Sequence, residues 1–283
     1  MPDRPGPVLV TGANSGFGLA ASLRFAARGW DTWGTVRSKA KGKVLADAAR
    51  QAGVSDRIHP LVLDVSDHEA VVARWPSLPS FHAVVNNAGY SELGAVEEVT
   101  AAQAKRQLDV NLIAPAVVSS CALPAMRERG AGRIIMVSSI AGRVAFLPMN
   151  AWYHASKFGL EALSDVLRIE VAPFGVKVVV IEPGFFKTEI EPRAKLEAAA
   201  RESATGTPYR KAYARVQTIT GVISSFAPPP TIVARTIVTA VESRRPLNRY
   251  VVGADALAIA VASPLTPRIV ADTLARLVAD LRR

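Results

Sequence analysis

Cysteine is almost missing from this chain. The one thiol, Cys121, can form neither an intrachain disulfide nor a cysteine-rich zinc site. A reducing, cytoplasmic setting fits that usage. Histidine is scarce as well: His59, His68 and His82 show no metal-ligand spacing, so no metal is expected. Long apolar runs are absent. The closest approach, Ala254 to Leu265, is broken by Asp255 and Ser263 and is too short to span a bilayer. The opening MPDRPGPVLV lacks the apolar core of a signal peptide. There is no internal repeat, no low-complexity tract, and no nucleic-acid motif such as an RNP sequence or a zinc finger. The net charge of +10 is therefore read as a solvated basic surface, and no nucleic acid is expected as a partner.

The composition suits a folded protein. Of the 283 residues, 49% are hydrophobic and 20% charged, enough for a large core and too apolar for a disordered chain. Short β-branched runs alternate with longer helical stretches. Strands are expected at Val8–Val10, Asp31–Val36, Ile58–Asp64, Ala83–Asn86, Arg133–Ser138, Lys177–Ile181 and Tyr250–Val252. Helices are expected at Gly18–Arg28, Lys41–Ala52, His68–Trp75, Thr100–Glu128 and Ala151–Ala172. That alternation predicts an α/β fold: one Rossmann-type, doubly wound parallel sheet of about seven strands flanked by helices. No linker splits the chain, so residues 1–283 read as a single domain. Residues 189–230, with a helix near Lys195–Ala204 and then Pro228-Pro229-Pro230, read as an excursion that closes over a substrate. The stretch Ile269–Arg283 has near-helical apolar spacing among arginines. It is read as a helix packed on its own domain, and membrane association is not expected.

Chemistry gathers at the strand ends. The turn Thr11-Gly12-Ala13-Asn14-Ser15-Gly16-Phe17-Gly18 follows the first strand and opens the first helix. Its glycines permit a tight turn, and the helix N-terminus offers N–H groups to a pyrophosphate. Gly12, Asn14, Ser15, Gly16, Phe17 and Gly18 are its candidate ligands. The second strand ends on Arg37, with no acid at its tip to bind a ribose diol. A guanidinium suits a 2′-phosphate, which favours NADP(H) over NAD(H). Asp64-Val65 ends the third strand and Asn86-Asn87-Ala88-Gly89 the fourth, on the side where open α/β sheets bind ligands. Tyr153 and Lys157, four apart, share one helix face. An ammonium beside a phenol stabilises the phenolate, so the tyrosine can exchange a proton with an alcohol or carbonyl.

Taken in order, these motifs resemble the short-chain dehydrogenase/reductase family. The resemblance covers residues 8–188: the glycine turn, Asn86–Gly89, Asn111, Val137-Ser138-Ser139, Tyr153 with Lys157, and Pro183-Gly184 with Thr188. It implies Tyr153 as acid/base and Lys157 as the group that lowers its pKa and holds the nicotinamide ribose. It implies Ser139 on the substrate oxygen and Asn111 holding a water that links Lys157 to solvent. Asp64 and Val65 would sit by the adenine, with Asn87, Ala88 and Gly89 on the cofactor and Pro183, Gly184 and Thr188 bordering the nicotinamide. Ser139 lies one residue further from Tyr153 than the family spacing, which leaves Ser138 as the second choice. His154, next to the tyrosine, should face elsewhere on the helix and is given no role. The implied reaction is hydride transfer between NADP(H) and a secondary alcohol or carbonyl. The segment Tyr153–Thr188 is similar to the hydroxysteroid and retinol dehydrogenase branch, which points to a bulky apolar substrate. Phe146, Leu147, Met149, Trp152, Phe185 and Phe186 are expected to line its pocket. The alternatives are a broad aldehyde or ketone reductase and a non-catalytic regulator that senses NADP(H). The resemblance also implies a homodimer or homotetramer that associates through the Tyr153 helix.

Overall fold

The computed structural model describes residues 6–187 and 206–281. Among these, seven strands form one parallel sheet. They are β1 (Pro7–Val10), β2 (Asp31–Val36), β3 (Ile58–Val62), β4 (Ala83–Asn86), β5 (Gly132–Val137), β6 (Val176–Pro183) and β7 (Arg249–Val252). Their spatial order is β3-β2-β1-β4-β5-β6-β7, so chain direction across the sheet reverses between β1 and β4. Side chains alternate across the pleat. Val8, Val10, Ile135 and Val137 enter one buried layer, and Leu9, Ile134 and Met136 enter the other. Both faces are apolar because both are covered by helices. This is the single Rossmann-type α/β domain the alternation predicts.

The first layer packs under α1 (Gly16–Ala27), α2 (Lys39–Gln51) and the helix Thr231–Glu242, through Phe25, Leu45 and Ile237. The second packs under α3 (His68–Arg74), the helix Ala114–Glu128 and the helix Ala151–Val171, through Val71, Met126 and Leu160. A third, smaller cluster holds the helix Arg210–Phe226 over the carboxyl ends of the strands, with Tyr213 and Val216 against Leu93 and Met149.

The expected long helix over Thr100–Glu128 is not one α-helix. α4 (Ala101–Leu108) passes through a π-helical turn, Asp109–Ile113, into α5 (Ala114–Glu128). Pro115 gives a physical reason: it has no N–H to close an α turn onto the carbonyl of Asn111. The later helices are α6 (Ala151–Val171), α7 (Arg210–Phe226), α8 (Thr231–Glu242), α9 (Ala254–Ala262) and α10 (Arg268–Val278). α10 departs from expectation. Leu281 beyond it packs on the third cluster, but Ile269, Leu274 and Leu277 stay exposed rather than packing on their own domain. The expected helix near Lys195–Ala204 lies outside the described residues.

Candidate active site

The reversal between β1 and β4 is where an open parallel sheet leaves a crevice, and here the crevice is cross-braced. Thr11 Oγ1 accepts hydrogen bonds from the backbone N–H groups of Asn87 and Ala88, both at 2.9 Å. Asn87 Nδ2 donates back to the Thr11 carbonyl at 2.8 Å. The turn after β1 is thereby tied to the segment after β4. Gly12 has φ +66°, and a Cβ there would lie 3.1 Å from Ala88 Cα. Gly18 is tighter: its Cβ would lie 2.3 Å from the Gly12 carbonyl oxygen. Gly18 is thus a packing residue and does not line the cleft as expected. Ser15 caps α1 with extended backbone and no side-chain bond to the first turn, which leaves those N–H groups to a ligand.

A cleft of ≈ 340 Å³ runs along this crevice. It collects Gly12, Asn14, Ser15, Gly16 and Phe17 from the turn, and Arg37, Asp64 and Val65 from the ends of β2 and β3. Asn87, Ala88 and Gly89 complete one wall, and Tyr153 and Lys157 stand at its inner end. Further residues that no motif marks also line it, among them Lys41 in the first turn of α2, Arg106 in α4 and Val110 in the π turn. Arg37, Lys41 and Arg106 come from three separate elements. Among the described residues none of their side chains carries an ion pair.

A second cavity, ≈ 160 Å³ and largely apolar, adjoins the first. It is lined by Phe146, Leu147, Phe185 and Phe186, as expected, and by Leu93 and Val216. The two spaces share Phe17, Ser138 and Tyr153. Pro183 and Gly184 line this second cavity rather than the cofactor cleft. Asp255 fixes their loop by accepting from the Phe185 N–H at 2.7 Å. Met149 does not line the cavity. It is buried in the third apolar cluster, with left-handed backbone at φ 65°. Trp152 is absent from the cavity wall as well. Ser91, Asn150, Gln217 and Thr220 add polar groups that the sequence did not flag. Gln217 and Thr220 come from α7, the described part of the expected excursion. Thr188 lies outside the described residues.

Tyr153 and Lys157 sit in the first two turns of α6. Lys157 is buried, donates to the Val137 carbonyl at 2.9 Å, and stands 5.8 Å from the centre of the Tyr153 ring. Burial drives the Lys157 ammonium down to about 8, against the opposing charge of Glu161. Burial also pushes the Tyr153 phenol up, while a hydrogen bond from Ser139 pulls it down. Of the two serines, Ser139 touches the phenol, whereas Ser138 Oγ lies beside Glu161 with no hydrogen-bond partner among the described residues.

Asn111 is fully buried, and its side chain is spent on structure. Oδ1 accepts from the Tyr90 N–H at 3.0 Å, and Nδ2 donates to the Tyr90 carbonyl at 2.9 Å and to Ser156 Oγ at 3.0 Å. His154 does face the second cavity, contrary to the helix-turn argument. Nδ1 bonds the Ala141 carbonyl at 2.8 Å and Nε2 accepts from the Leu147 N–H at 3.4 Å. Burial lowers its pKa, so the ring is a neutral brace for the loop before α6.

Comparison with known proteins agrees with this geometry. The chain is 31% identical to mouse retinol dehydrogenase 5, covering 94% of this chain and 86% of that one. It is 32% identical to the NADPH-dependent 3-dehydrocapnine reductase of Ornithobacterium rhinotracheale, covering 92% of each. An uncharacterized oxidoreductase of Bacillus subtilis, YusZ, is 36% identical over 74% of this chain and 76% of its own length. Among solved structures, a short-chain dehydrogenase from Streptomyces avermitilis superposes with a TM-score of 0.77 at 31% identity, over 93% of both chains. A Burkholderia phymatum protein in complex with NAD has a TM-score of 0.78 at 24% identity, over 93% of this chain and 95% of its own, which speaks to fold alone. The short chain dehydrogenase family matches residues 7–198, and this chain is a member of that family of oxidoreductases.

Proposed function

We propose that this chain is an NADP(H)-dependent dehydrogenase that interconverts a secondary alcohol and its carbonyl on a bulky, apolar substrate. The observation that carries the reading is the meeting of a dinucleotide-shaped cleft and an apolar cavity at Tyr153. The cleft suits the cofactor: Gly12 takes a left-handed backbone at φ +66°, a side chain at Gly18 would collide with backbone, the first turn of α1 is uncapped, and cations rim the far end. Gly12 to Phe17 would hold the pyrophosphate, Asp64 and Val65 the adenine, and Lys157 the nicotinamide ribose. Arg37, with Lys41 and Arg106, would take a 2′-phosphate. When bound, the nicotinamide gives or accepts the hydride.

The protein's own part is proton handling and position. Ser139 holds the substrate oxygen. Tyr153 gives it a proton in reduction and takes one in oxidation. The Lys157 ammonium favours the phenolate through a low-dielectric interior. Pro115 leaves the Asn111 carbonyl without an α-helical partner, and that carbonyl would hold the water through which Lys157 exchanges protons. Phe146, Phe185, Phe186 and Val216 offer an apolar bed, and the retinol dehydrogenase relatives support a bulky apolar substrate. Residues 189–230, with α7 among them, would act as the lid.

A fluorescence titration of NADPH and NADH tests the cofactor reading. Tighter NADPH binding is expected, with about tenfold or more of the preference lost in Arg37→Asp and part of it in Arg106→Ala. Equal binding of the two cofactors by the wild type would overturn the NADP(H) assignment.

A further inference from the structure

One turn along α6 from Lys157 lies Glu161, an acid buried in a place where burial is costly. It is held by charge from another strand. Arg249 of β7 donates to Glu161 Oε2 at 3.0 Å and to Asp165 Oδ2 at 2.6 Å, and its Nη1 lies 3.6 Å from Glu182 Oε1. Glu182 of β6 is completely buried and also accepts from Arg143 at 3.2 Å. Ser138 Oγ, at the end of β5, lies beside Glu161, and neither it nor Glu161 Oε1 has a hydrogen-bond partner among the described residues, so the hydroxyl can turn to the ionised carboxylate. Gly142 seals the group: a Cβ there would lie 2.9 Å from Ser138 Oγ, 3.0 Å from Glu161 Cγ and 2.9 Å from the Lys157 carbonyl oxygen. The charged groups facing Glu161 are thus Lys157 and Asp165 on its own helix, Glu182 on β6 and Arg249 on β7.

We propose that Glu161 is a positioning residue for the Tyr153–Lys157 pair: held ionised by Arg249, it keeps Lys157 charged and so keeps the phenolate accessible. A buried ammonium needs a counter-charge, and among the described residues Glu161 is the acid whose field reaches Lys157. Glu161 itself sits near a balance. Burial drives its carboxyl up to about 7, with Ser138 and Arg249 opposing and Glu182 and Asp165 reinforcing the rise. The sign follows. Without the Glu161 carboxylate the Lys157 ammonium would give up its proton at lower pH, and from that pH upward Tyr153 would lack the positive charge that favours its phenolate.

The proposal rests on the reading of Tyr153 as proton carrier, and one experiment separates the two. Phenolate absorbance is titrated against pH for the purified chain, and the curve of Tyr153→Phe is subtracted to isolate Tyr153. This readout needs neither substrate nor turnover. Glu161→Gln is expected to move the appearance of the Tyr153 phenolate to higher pH by about one unit, with Glu161→Asp in between. A Glu161→Gln curve superimposed on the wild type would overturn the role of Glu161. A wild-type difference curve no lower than that of a free phenol would instead overturn the reading of Tyr153. If thermal melting shows that Glu161→Gln does not fold, Arg249→Gln removes the holding charge and is expected to shift the curve the same way; no shift there overturns the proposal equally. A purely structural tie between α6 and β7 would lower the melting temperature and leave the titration in place.

Discussion

Ser138 and Ser139 differ by one position at the end of β5, and that position decides which of them reaches Tyr153. Neighbouring residues leaving a strand point to opposite sides, so one serine reaches the phenol and the other lies beside Glu161. Ser139→Ala is expected to lower kcat by about ten- to a hundredfold with NADPH affinity nearly unchanged, as steady-state kinetics and a binding titration would show. Ser138→Ala should act more weakly, through Glu161. The residues of strongest pattern, Gly12, Asn87, Tyr153 and Lys157, were legible because their spacing carries their chemistry. The serine choice was not, since it depends on a side-chain direction that no spacing states. Arg106 and Gln217 were illegible for another reason: each reaches its cavity from a helix whose pattern reports only which face is buried.

At the scale of elements, the start of α1 presses on the turn before it. A methyl at Gly18 would strike backbone, which cannot swing aside as a flexible side chain can. Gly18→Ala is therefore expected to weaken NADPH binding by about tenfold or more and to lower the melting temperature; unchanged binding would contradict this packing. The stretch Thr100–Glu128 reads as one helix, and its helical character holds over most of that length. The π turn escaped because Pro115 breaks a hydrogen bond without breaking the apolar stripe. Met149 escaped similarly. Its size suited a pocket wall, but its left-handed backbone turns the loop inward and buries it under α7. α6 carries the most chemistry of any element: Tyr153 and Lys157 toward the cleft, and Glu161 toward β7.

For the whole molecule, the doubly wound parallel sheet was the most legible property. Alternating apolar strands and helices with right-handed crossovers allow few arrangements, and the sheet order places four motif-bearing strand ends around one crevice. What the chain leaves uncovered was less legible, because exposure of an apolar helix face depends on neighbours that a period does not name. Ile113, Phe158, Val166 and Ile169 are exposed on the π turn and α6, with Ile169 at 67%. Such a face suits association between copies. Gel filtration is expected to give a mass above that of one chain, and Val166→Glu with Ile169→Glu to reduce it to one. A wild-type protein running as a monomer would remove the association.

The most direct test of the central claim is turnover, followed as the absorbance of NADPH in the presence of a panel of apolar ketones, with the wild type and Tyr153→Phe compared. The account predicts ketone-dependent NADPH oxidation by the wild type and a loss of about a hundredfold or more in Tyr153→Phe, with the same NADPH dissociation constant for both. Equal turnover by the two proteins would contradict it.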